Sequence, residues 1–148
     1  MTSAVHSRGM SMDRLPARFI VTLLVVALFA LFHDACRLND DHDPGHGGRG
    51  AEFAASLQGR LFHIHNRQLA LLIEACTLHT RGGTDADATI QTCWDADRLD
   101  LLRAGITPAP RKLCTDAARD PDLMAWANDR ARDNHTPLFA HDEWLILT

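Results

Sequence analysis

One segment limits what this chain can fold into more than any other. From Phe19 to Phe32 every residue except Thr22 is apolar, and Arg14 and Arg18 stand just before it. As a helix this run rises about 21 Å, short of the roughly 30 Å of a bilayer's hydrocarbon core. The length and basic flank suit a signal peptide better. However, the run closes on Leu31-Phe32-His33-Asp34 with no small-x-small cleavage site, and His33-Asp34-Ala35 before Cys36 is no lipoprotein cleavage box. A helix apolar on all sides also suits the buried centre of a domain. That reading is carried forward, with export or membrane anchoring as its rival.

A chain of 148 residues, 46% of them hydrophobic, can form one domain with one sizeable core. Ala, Leu and Arg are abundant, Tyr is absent, and β-branched residues cluster only near Val21–Val26. These features predict an all-α fold. A formal charge of −4, with no basic run, gives no electrostatic reason to expect a nucleic-acid partner. The four cysteines, Cys36, Cys76, Cys93 and Cys114, contain no C-x-x-C pair, and three of them lie in apolar helical runs. They read as reduced thiols in a cytoplasmic protein.

Organisation follows from the breakers. Residues 1–12, mostly polar and small, are expected to be loose, with a helical domain of about five to six helices expected over 13–133 and a tail at 134–148. The apolar helix is expected from near Asp13 to about Leu38, with Pro16 in its first turn. Asn39–Gly50 reads as a loop. Further helices are expected at about Gly48–Leu57, ended by Gly59, at Gln68–Thr80, capped by Gly82-Gly83, and at Ala88–Arg103, stopped by Gly105. Shorter ones should follow near Arg111–Arg119 and Pro121–Asp133.

Helical periodicity then asks which charged residues are forced inward. Ile90, Trp94, Asp97, Leu101 and Ala104 follow a 4-3-4-3 spacing, a single face that carries Asp97 in mid-stripe and turns Asp95 away. A buried carboxylate needs compensation by an arginine (Arg37 or Arg103), by amide donors or by a metal. His33 and Asp34 leave the apolar helix surrounded by Phe29, Ala30, Leu31, Cys36 and Leu38. His79 lies in line with Leu72, Ala75 and Cys76. A lone histidine there is more often a hydrogen-bonded core residue. The coincidence of imidazoles and carboxylates from three apolar helices is what suggests a divalent-cation site.

Four segments in this order then resemble the HD superfamily of metal-dependent phosphohydrolases: L-F-H-D-A-C-R (Leu31–Arg37), H-G-G-R-G-A (His46–Ala51), A-C-T-L-H-T (Ala75–Thr80) and W-D-A-D-R-L-D (Trp94–Asp100). The resemblance covers roughly Val25 to Gly105. It implies an HD-type helical domain with a divalent metal (Mn, Fe, Co, Ni, Zn or Mg) on His33, Asp34 and Asp97. It also implies Asp34 and His79 in catalysis, and His46, Arg49 and Arg37 near the substrate phosphate, His46 and His79 matching positions beside that phosphate or a second metal. The substrate class it implies is a small phosphorylated molecule, a nucleotide first, hydrolysed by metal-activated water. The family's upstream metal-binding histidine has only His6 as its counterpart, which keeps a second reading alive: a degenerate member that binds metal or nucleotide without turnover.

Other chemistries lack their motifs: there is no G-x-x-x-x-G-K-[ST] loop, no G-x-S-x-G elbow and no H-E-x-x-H pair. His42 among Asp40, Asp41 and Asp43 reads as a solvated acidic loop, His63 and His65 as solvent-facing, and Trp94 and Trp126 as core. A homodimer is left open.

Overall fold

The computed structural model describes residues 17–39 and 42–133, with side chains from Ile20 onward. Its five α-helices are α1 (Ala17–Phe32), α2 (His46–Leu57), α3 (Asn66–Leu78), α4 (Ala88–Asp100) and α5 (Pro121–Arg132). Two 3₁₀ turns, Leu101–Ala104 and Pro110–Lys112, lie between α4 and α5. The described residues contain no strand, only an isolated bridge between Gln58 and Phe62. The fold is all-α.

The helices begin and end for local reasons. Gln68 closes a capping box with His65 at the start of α3, so His65 caps a helix as well as facing solvent. Asp87 caps α4 through the Thr89 N–H, and Asp120 caps α5 ahead of Pro121. Gly59 and Gly105 follow α2 and the first 3₁₀ turn with φ of +80° and +77°, backbone that side chains rarely adopt.

The core is built from α1 to α4. Val25, Leu28, Phe29 and Phe32, on one face of α1, bury against Ala51 and Ala54 of α2, Leu72, Ala75 and Cys76 of α3, and Ile90, Cys93 and Trp94 of α4. Large side chains buried this way each contribute about 2 kcal/mol. Trp94 adds a hydrogen bond from its indole N–H to the Ala75 carbonyl, 3.1 Å. α5 packs on α4 and the first 3₁₀ turn and buries only Ala131.

Several expectations need correcting. The apolar helix is not buried all round: Ile20, Leu23, Leu24 and Leu31 form an exposed stripe, Leu31 at 68%. Nor does it run to Leu38. The carbonyls of Phe32 and His33 lie against α2 at Gly50, and the chain turns there with an Ala35 N–H to Phe32 carbonyl bond, 3.2 Å. No helix spans Arg111–Arg119, because the N–H groups of Cys114 and Thr115 are taken by Asp95. Trp126 is 57% exposed, beneath the guanidinium of Arg130 rather than in the core. Asp95, apart from the Asp97 cluster, is nonetheless buried: it is 4% exposed and holds that segment. Among the described residues no helix is long and apolar enough to cross a membrane, and all four cysteines are free.

Candidate metal centre

Three helix ends meet at one point. His33 follows the last residue of α1, His46 opens α2, and His79 follows the last residue of α3. α2 approaches so closely because it lacks side chains where it touches its neighbours. A Cβ on Gly47 would overlap the Cys76 carbonyl oxygen and crowd the His79 ring, and one on Gly50 would overlap the Phe32 carbonyl. Sequence reasoning did not pick out Gly47 and Gly50 as site-forming. Their signal was present in H-G-G-R-G, a helix start too glycine-rich for propensity alone.

Each imidazole is fixed by its own backbone. Nδ1 of His33 lies 3.0 Å from the Phe29 carbonyl, that of His79 lies 2.7 Å from the Cys76 carbonyl, and that of His46 bonds the Asp43 carbonyl. A carbonyl oxygen only accepts, so all three rings carry a proton on Nδ1, and in the neutral form Nε2 presents a lone pair. The His33 ring also stacks on Phe29, centroids 4.7 Å apart.

All three Nε2 atoms converge on Asp34. His46 Nε2 lies 3.1 Å from Asp34 Oδ1 and 2.9 Å from His79 Nε2, while His79 Nε2 is 3.6 Å from the same oxygen. These separations suit one cation, since ligands about 2.0–2.1 Å from a tetrahedral ion stand about 3.3 Å apart. Without a cation or an added proton, two lone pairs would face each other at 2.9 Å. Burial pushes the His79 pKa down, so that ring resists the proton. Asp34, His46 and His79 therefore form a group able to hold a metal ion.

On the other side of Asp34, His33 Nε2 lies 3.8 Å from Oδ2 and 3.6 Å from Asp97 Oδ1. Burial opposes ionisation of Asp34, but the charge of His33 and the bond and charge of Arg37 outweigh it and hold its pKa low. Burial raises the pKa of Asp97 despite His33 and His79. The two carboxylates flanking His33 are thus driven in opposite directions.

The structure brings together His33, Asp34, Asp97, His46, His79 and Arg37, whose terminal nitrogen is 3.2 Å from Asp34 Oδ1. The tightest ligand group is Asp34 with His46 and His79, rather than the predicted set of His33, Asp34 and Asp97. His46, expected near a substrate phosphate, is buried among ligand atoms. Arg49 has a different role: its guanidinium bonds the Cys36 carbonyl at 3.0 Å and Asp43 at 2.5 Å, closing the loop before α2. Asp43 thereby serves as a clamp rather than a solvated charge. Arg103 pairs with Asp100, and neither it nor Arg37 compensates Asp97. His6 lies outside the described residues.

Beside the cluster lies a cleft of about 920 Å³. Val26, Phe29, Leu101 and Ile106 give it an apolar wall, and His33, Asp34, Arg37, His79 and Asp97 a polar floor. Compared with known proteins, the chain matches no family model, no curated protein and no solved structure.

Proposed function

We propose that this protein is a metal-dependent phosphohydrolase of the HD type, acting on a phosphomonoester or phosphoanhydride, with a nucleotide as substrate. One observation carries the reading: three imidazoles, each locked by a backbone carbonyl at Nδ1, turn Nε2 toward a single carboxylate. Such backbone locking of the far ring nitrogen is how metal-binding histidines are usually oriented. Asp34, His46 and His79 would hold the ion, with His33 and Asp97 completing the site on the other oxygen of Asp34. These ligands suit Mn, Fe, Co, Ni or Zn better than Mg, which prefers oxygen donors.

When bound, a divalent ion lowers the pKa of water toward neutrality and polarises a phosphoryl oxygen. The residues of the chain do the rest. Asp34 orients the attacking water, and Asp97, its pKa raised by burial, is the more basic of the two carboxylates and takes up the proton. Arg37 and Arg103, on the cleft lining, offset phosphoryl charge. The apolar wall suits a nucleobase, and the cleft volume lies in the range of small-molecule sites. Charge supports the need for a metal: Asp34, Asp97 and Asp100 outnumber Arg37 and Arg103 on the lining, so a phosphate enters more readily beside a cation. The four free thiols favour a cytoplasmic setting.

The test is purified protein with Mn²⁺, Co²⁺, Ni²⁺ or Mg²⁺ against a nucleotide panel, beside Asp34→Ala and Asp97→Ala. Each substitution is expected to lower kcat/KM at least about 100-fold. Undiminished turnover in Asp97→Ala sinks the assignment. That His6 is the only upstream counterpart of the family's first metal-binding histidine favours one alternative, a protein of the same type that binds metal or nucleotide without turnover. Retained metal with no hydrolysis of any nucleotide would select it.

A further inference from the structure

His46 Nε2 has one lone pair, and two cations have a claim on it. In the structure the donor in reach of it is Arg37, whose terminal nitrogen is 3.2 Å from His46 Nε2 and 3.2 Å from Asp34 Oδ1, beside the His79 Nε2 at 2.9 Å that carries no proton. Because Nδ1 of His46 donates to the Asp43 carbonyl, Nε2 is the acceptor in that contact. A metal held by Asp34, His46 and His79 needs the same lone pair. A neutral imidazole nitrogen cannot accept from a guanidinium and coordinate an ion at once, so the two occupants exclude each other.

Arg37 also differs from the arginines that hold the fold together. Arg98 bonds the carbonyls of Gly82, Gly83 and Lys112, Arg119 those of Leu113 and Cys114, and Arg49 that of Cys36. Among the described residues, the guanidinium of Arg37 bonds only atoms of the candidate site. Its Nε is buried without a hydrogen-bond partner. A buried N–H left in this way marks a position that is not fully satisfied, and Arg37 already lines the cleft into which it could turn.

We propose that Arg37 is a built-in competitor of the metal: it occupies the lone pair of His46 and one oxygen of Asp34, and must turn out toward the cleft before an ion can load. Metal loading and release of the guanidinium are then a single event, and the released arginine faces the space where a phosphate would lie. The inference rests on the metal-site reading above and adds an order, with the cation entering before the anionic ligand is gripped.

The test is Co²⁺ titration, followed by heat and by the visible absorption of the bound ion, on the whole chain and on Arg37→Gln and Arg37→Met. Two neutral replacements guard against one failing to fold. Both are expected to bind Co²⁺ roughly tenfold more tightly than the parent, since a competing cation has been removed. The gain should disappear when His46→Ala is added, because the contested lone pair is gone. Equal or weaker binding in the Arg37 variants, with Co²⁺ still bound by the parent, overturns the inference and leaves the metal-site reading standing. No Co²⁺ binding by any of the proteins overturns both.

Discussion

Two parts of this molecule handle buried carboxylates in opposite ways. At the corner between α4 and α5, Asp95 accepts from the Cys114 N–H at 2.6 Å, the Thr115 N–H at 2.9 Å and the Thr115 hydroxyl at 2.8 Å. Every neighbour is a donor supplied by the chain itself, and the carboxylate fixes a segment that would otherwise wander. Where α1, α2 and α3 meet beside α4, Asp34 and Asp97 face imidazole nitrogens whose protons are tied up on the far side of each ring. A carboxylate ringed by donors is complete. A carboxylate ringed by lone pairs calls for a cation, and among the described residues Asp34 has Arg37.

The comparison can be broken by substitution. The largest effect on folding is expected from Asp95→Ala, which strands three donors and should cost about 3 kcal/mol. Asp34→Asn should change stability by less than about 1 kcal/mol while abolishing metal binding. Urea unfolding of the two variants side by side decides, and equal destabilisation would erase the distinction. Gly47→Ala comes next. Its methyl group must push α2 off the Cys76 carbonyl, for about 2 kcal/mol, and should weaken metal binding by moving His46 from His79. A variant that melts lower yet binds Co²⁺ unchanged would show that the close approach matters only to packing.

The smallest effect concerns the clamp beside the site. The Arg49 guanidinium, then the Leu38 N–H, hold the Asp43 pKa down at about 2, below its ordinary 3.8. A depressed carboxyl contributes stability that is present above its unfolded value and is lost as pH falls through its folded one. Asp43→Asn should therefore melt below the parent at pH 6, with the gap closing between about pH 4 and pH 2. Melting curves across that range check the sign, and a gap that stays constant would remove Asp43 from the account.

Much of the fold was legible locally. Asp87 before α4, Pro121 at the start of α5, and Gly59 and Gly105 after their elements act through neighbours a few residues away, so spacing alone located those helices. The misreadings share a different cause. α1 ends at Phe32 because α2 crosses it at Gly50. The Arg111–Arg119 segment is not helical because Asp95, 19 and 20 residues back from Cys114 and Thr115, takes its amides. The exposed stripe of Ile20, Leu23, Leu24 and Leu31 was invisible to periodicity, because a helix apolar on every face carries no sign of which side packs.

The same division holds at the candidate site. The amino-acid order singled out His33, Asp34, His79 and Asp97 as chemistry placed among apolar residues, and it determined an all-helical chain, since those properties depend on spacing along one helix. Only the tertiary structure decided that His46 belongs with His79 and Asp34, that Arg49 is a clamp, and that Arg37 touches two ligand atoms. These facts depend on how closely three helix ends approach. That closeness is set by packing between residues far apart in the chain, at glycines whose missing side chains matter only once another helix lies against them.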